Sequence, residues 1–207
     1  MLVFIRKIRI TAFVSTLIIY FSVFFLLNFY FDEIKLELGK KLYYFLYTFF
    51  EYSTFAYILW KFIDNKKFRT LIVVCSIAFT SFLIFFFSTI RLIRTVDSVP
   101  IGVETILIFL YIFYFFYQYF KNTTISILND HSFWLVTGIL AYLGSTFFFN
   151  ILADNINRVE FERYWYLTYL GDIIKNILSA VAVILYAKNP DVRKDQKPSS
   201  VPYLDMI

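Results

Sequence analysis

Six stretches of about twenty apolar residues, separated by short polar connections, constrain this chain more than any other feature. They fall at about 10–31, 42–63, 70–90, 101–120, 133–152 and 165–187. Wound as a helix, about 20 residues match the roughly 30 Å hydrocarbon layer of a bilayer. In that layer every backbone N–H and C=O needs an internal partner, and a helix supplies it. The expected fold is all-α: a polytopic transmembrane helical bundle of six spans within residues 1–188, followed by a flexible cytoplasmic tail over 189–207.

Composition agrees with that reading. Hydrophobic residues make up 60% of the 207, with 28 Phe and 17 Tyr, and only 17% are charged. A soluble domain of this size has too little interior to hide so much apolar surface. The net charge of +5 is not a nucleic-acid signature, because the cations sit in short runs beside the apolar stretches, as topology determinants do. With the N-terminus inside, twelve Lys and Arg fall on the inner side and seven on the outer side. Both termini are therefore expected in the cytoplasm, in a multi-pass protein of a bacterial inner membrane. The first stretch is longer than the apolar part of a signal peptide and lacks a small-residue cleavage site, so it reads as a retained span. One Cys and one His leave little scope for disulfides, for a metal site or for a Ser-His-Asp triad. No cofactor and no metal are implied.

Against this apolar background four charges stand out: Glu51, Glu104, Asp172 and Lys175. A charge near the membrane centre costs about 2.5–3.5 kcal/mol on insertion scales, so such groups face a partner, a cavity or a pathway. At a rise of 1.5 Å per residue, Glu51 lies about 14 Å and Lys175 about 15 Å into their stretches, while Asp172 is about 10 Å in. Glu104 is only one turn in, where it reads as easily as a complement to the helix dipole. Asp172 and Lys175, three residues apart, share a helix face. These four, with Asn150 and Asn176, and with Thr48 and Ser53 nearby, form the candidate ligand or ion cavity, open towards the outer side. Three acids facing one base leave a net −2 if all are ionised. A bound cation, water, or an acid that keeps its proton would each relieve it. Structural glue between helices is the plainer reading of Lys175.

Small residues at Gly138, Ala141, Gly144 and Ser145 recur every three or four positions and form a stripe that admits a second helix at close range. His131 reads as the first residue of a helix at the interface. Asp97-Ser98-Val99-Pro100 is a helix start, and Asn189-Pro190 a helix end.

Thr48-Phe49-Phe50-Glu51-Tyr52, the run Asp97-Ser98-Val99-Pro100-Ile101-Gly102-Val103-Glu104, the block from Phe133-Trp134-Leu135 to Ala141-Tyr142, and Ile174-Lys175-Asn176-Ile177-Leu178 together resemble a group of small multi-spanning membrane proteins from Bacteroidota. The likeness covers roughly residues 40–187. Many members are encoded near two-component signalling genes, so the resemblance implies a sensory or signalling role and carries over no catalytic residue.

The expectation is a non-enzymatic integral membrane protein, a sensor or signal-transducing module whose polar cavity binds a small ligand, a cation or a proton. Its partners would be the lipid bilayer and a membrane or cytoplasmic signalling protein, with no nucleic acid. A secondary transporter coupled to protons or cations and a structural subunit of a membrane complex are the alternatives.

Overall fold

Side chains that satisfy the first free N–H groups of a helix fix where two of the helices begin. Asn65 Oδ1 accepts from the amides of Lys67 (2.9 Å) and Phe68 (3.4 Å), and a helix starts at Lys66. Asp130 Oδ1 accepts from the amide and the hydroxyl of Ser132 (2.8 and 2.7 Å), and a helix starts at His131. A computed structural model describes residues 12–31, 37–89, 98–122, 129–153 and 166–188. Within these lie six helices and no strand: α1 Ala12–Phe31, α2 Glu37–Phe62, α3 Lys66–Thr89, α4 Ser98–Asn122, α5 His131–Ala153 and α6 Tyr166–Lys188. Residues 189–207, expected as a tail, lie outside the described residues.

The six helices coincide with the six apolar stretches, and several overrun them. α2 begins at Glu37 and takes in Lys40 and Lys41; α3 begins at Lys66 and takes in Arg69. Lys, Glu and Arg are good helix formers, so helices continue through charged ends that hydropathy assigns to loops. As a result only residues 63–65 join α2 to α3. Pro100 falls in the first turn of α4, where its missing N–H costs nothing. Lys188, the last described residue of α6, directly precedes Asn189-Pro190 in the sequence.

Three described helices are long and apolar enough to cross a membrane, at Lys66–Thr89, Val99–Lys121 and Tyr169–Lys188, and α1 is apolar over the shorter Phe13–Phe29. α2 falls short because Glu51, Lys61 and its many tyrosines lower its hydropathy. Its position accounts for that. α2 packs against α1, α3, α4 and α5, so protein covers much of it.

The core follows helical spacing. Tyr52, Phe55, Leu59 and Ile63 on α2 meet Ile108, Tyr111, Ile112 and Phe115 on α4, and Leu135, Val136, Ile139 and Tyr142 on α5. Phe25, Ile77, Phe85, Phe113 and Phe120 point outward and stay exposed. Contiguous apolar surface of this extent needs lipid or protein to cover it.

The α5–α6 pair has the most extensive contact in the fold. The α6 face turned inward is Gly171, Lys175, Ser179 and Ala182. A Cβ on Gly138 would lie 3.1 Å from Leu178 Cβ and 3.4 Å from the Lys175 carbonyl oxygen. One on Gly171 would lie 1.9 Å from Ser145 Oγ. These contacts bring the two backbones together, and Gly171 was not part of the stripe read from sequence. Gly144 has nothing within 4 Å of an added Cβ, so its lack of a side chain is not needed for packing.

Candidate functional site

Lys175 is the hub of the buried polar groups. Its Nζ donates to Asp172 Oδ1 at 2.8 Å and to the Tyr20 hydroxyl at 3.0 Å. It also sits 3.7 Å above the Tyr142 ring and 5.3 Å from the Tyr20 ring centre, where the face of an aromatic ring attracts a cation. The close α5–α6 seam explains this placement. Gly138 lets the α6 backbone at Lys175 approach α5, and the amine then extends across Tyr142 towards α1.

Glu51, on the central helix α2, enters the same space from the opposite side. It is 6% exposed, Lys175 is 6% exposed, and Glu104 on α4 is 1% exposed. The Tyr142 and Tyr20 hydroxyls face the Glu51 carboxyl, and the charges of Lys175 and Asp172 act on it. Tyr47 stands beside Tyr142. Glu104 interacts chiefly with Glu51. Glu51 Oε1 and Glu104 Oε1 are buried with no hydrogen-bond partner. Oxygens in that condition are costly unless something fills the gap.

Tyr20 and Tyr142 thus link Asp172, Lys175 and Glu51, and Glu104 joins the group only through its charge beside Glu51. Tyr20 and Tyr142 come from α1 and α5, helices that carry no charge of their own in this region, so charge in apolar sequence does not point to them. Their sequence signal was positional: each falls on the buried face of its helix, Tyr20 between Leu17 and Phe24, Tyr142 after Ile139.

Other candidates fall elsewhere. Asn176 is exposed; one residue past Lys175 turns it about 100° around α6, away from the cluster, so it is no part of the site. Ser53 lines a groove between α2 and α3 and not the acid cluster, whereas Thr48 is buried one turn before Glu51. The side chain of Asn150 lies outside the described residues. Glu104, which the distance along its stretch placed near the surface, is among the least exposed charged residues described. Packed aromatic side chains surround the acids, and Asp172 alone of the four keeps substantial exposure, at 42% of its side chain. His131 does open α5, and its ring lies among Phe13, Phe62 and Tyr186. Among the described residues no group of three or more His, Cys, Asp or Glu is arranged to hold a metal ion.

Among the described residues, fold and site together show six helices, three of them able to cross a membrane, and a buried centre of two carboxyls, one amine and several phenols. Compared with known proteins, the chain matches no family model, no curated protein and no solved structure.

Proposed function

We propose that all six helices span a bacterial inner membrane, with both termini in the cytoplasm, and that the protein is a non-enzymatic sensor whose buried centre responds to a proton or a small cation. The observation that carries this reading is the pair of orphaned oxygens, Glu51 Oε1 and Glu104 Oε1, in a packed interior beside a single ammonium group. A proton or a bare cation fits where a larger ligand finds no room.

The hydrogen bonds supply a route. The half-exposed Asp172 carboxylate contacts Lys175 Nζ, Nζ contacts the Tyr20 hydroxyl, and that hydroxyl faces Glu51. A proton arriving at Asp172 passes to the centre by shifts along this line: Lys175 gives one to Tyr20, Tyr20 gives one to Glu51, and Asp172 recharges Lys175. Each gain or loss of charge at Glu51 alters the attraction between α2 and α6. Because α2 touches four other helices, it shifts the balance between two packings and alters the connection at residues 63–65. A signalling partner would read that surface, consistent with the role implied by the resemblance to the Bacteroidota proteins.

The test is amide exchange across residues 61–69 in the full chain reconstituted in vesicles, followed over a pH series. The wild type is expected to show a pH-dependent step that Glu51→Gln, which keeps the shape and cannot titrate, abolishes. An unchanged step in Glu51→Gln overturns the reading. Solute uptake driven by an imposed pH gradient would replace sensing with transport.

A further inference from the structure

The groove between α2 and α3 has a volume of about 550 Å³, within the range of about 300–1,000 Å³ typical of ligand sites. Ala56 and Ile72 form its floor, and Tyr57, Val73 and Ile77 stand exposed along its edges. It follows α2 from Phe49 to Trp60, about 16 Å at 1.5 Å per residue. Hydroxyl groups are plentiful in its wall, yet they have little to donate. Ser76 Oγ donates to the Ile72 carbonyl (2.7 Å), Thr80 Oγ1 to that of Ser76 (2.9 Å) and Ser81 Oγ to that of Ile77 (3.0 Å). With these hydrogens turned back on their own helix, the α3 wall behaves as an apolar surface, and Ser53 and Tyr57 on α2 are the remaining hydroxyls of the groove.

One end of the groove is different. Trp60 closes it, with Lys61 Nζ 5.5 Å and the Arg69 guanidinium 5.2 Å from its ring. Lys66 and Lys67 lie exposed on the adjoining turn. The only acid between residues 61 and 69 is Asp64, which is engaged by Gln118 through both its carboxylate (2.8 Å) and its amide (3.3 Å). Among the described residues no carboxylate comes within 4.0 Å of Lys61, Lys66, Lys67 or Arg69.

We propose that this groove binds an anionic phospholipid, with an acyl chain lying along Ala56, Val73 and Ile77 and the phosphate held by Lys61 and Arg69 beside Trp60. A dry channel ending in uncompensated cations at helix ends matches a chain ending in a phosphate, and basic pockets between membrane helices recognise such headgroups. A second copy of this chain is the poorer fit, because an isologous pair would set the two cationic ends against each other.

Native mass spectrometry of the full chain, exchanged into micelles doped with either phosphatidylglycerol or phosphatidylcholine, tests this. Phosphatidylglycerol is expected to remain bound where phosphatidylcholine leaves. Each Lys near a membrane surface contributes about 1 kcal/mol towards anionic lipid, so Lys61→Gln/Lys66→Gln/Lys67→Gln should lower retention by at least about tenfold. Val73→Trp, at an exposed edge, should remove it by filling the groove. Glu51→Gln should leave retention unchanged, which separates this site from the acid centre. Equal retention of the two lipids, full retention in Val73→Trp, or a dimer mass that replaces the lipid-bound monomer would each overturn the proposal.

Discussion

Replacing Gly171 with Ala tests the seam that positions Lys175. The added Cβ would lie 1.9 Å from Ser145 Oγ, 3.0 Å from Ser145 Cβ and 3.4 Å from Tyr142 Cα. The hydroxyl can swing away only by giving up its 2.8 Å bond to the Tyr142 carbonyl, a loss of about 1 kcal/mol. Even then the Cβ–Cβ distance of 3.0 Å forces α5 and α6 apart, and overpacking of this kind costs about 1–3 kcal/mol. The higher helix propensity of Ala returns about 1 kcal/mol. The net expectation is a destabilisation of about 1–3 kcal/mol. Ser145→Ala should relieve it only in part, because the Cβ remains. Ser145→Gly should relieve nearly all of it, since the nearest remaining atom is then Tyr142 Cα at 3.4 Å. Reversible unfolding in SDS-containing mixed micelles, followed by helical circular dichroism, measures the series. If Gly171→Ala were as stable as the wild type, or if Ser145→Gly failed to rescue it, the close approach of α5 and α6 would be wrong, and with it the position assigned to Lys175.

Two further outcomes can be read in the same assay. Ser76 gives its hydrogen to Ile72, so it must accept from Tyr52, which in turn accepts from Tyr111 (3.2 and 3.1 Å). Tyr52→Phe removes the hydroxyl that bonds both Ser76 and Tyr111, whereas Tyr111→Phe leaves the Tyr52–Ser76 bond in place and loses only its bond to Tyr52 and a weak contact with Cys75, so the first should cost more, with each full link worth about 1 kcal/mol; equal costs would show that the Tyr52–Ser76 link contributes nothing. Asp130→Ala removes the cap of α5 and should cost about 0.5–2 kcal/mol, with faster amide exchange at Ser132. Slow exchange there in the variant would show that the cap does not hold the helix start.

The helices were legible because alternation of apolar and charged stretches is a long-range signal, and six such stretches became six helices. Three of the described helices are long and apolar enough to cross a membrane; the lower hydropathy of α2 goes with a helix that four others cover, and no linear count reveals those neighbours. Glu51, Asp172 and Lys175 were found because a charge in an apolar run is conspicuous. Glu104 was grouped with Glu51 but also read as a surface complement to the helix dipole, because position along one stretch does not show that neighbouring helices bury it. Tyr20 and Tyr142 were missed because, among 17 tyrosines, nothing in composition distinguishes one that holds a charge from one that fills space. Asn176 was included on proximity in sequence, although one helical step carried it to another face. Gly171 lay outside the small-residue stripe because that stripe was read on α5 alone, and the contact belongs to two helices.

The turn between α2 and α3 is tied down on several sides. Asn65 donates to the Tyr114 hydroxyl, Gln118 holds Asp64, and Arg69 donates to the carbonyls of Ile63 and Lys61, while the Phe68 and Tyr114 rings stack at 3.7 Å. With that end clamped, any rearrangement of α2 against α3 and α4 becomes a swing about a fulcrum there. The 26 residues of α2 make a lever of roughly 39 Å, so a tilt of about 5° carries the Glu37 tip through about 3 Å, and Glu51 through a little under half of that. Small electrical changes at mid-helix would thus load the bonds at this fulcrum, so that residues 61–69 feel every tilt of the lever.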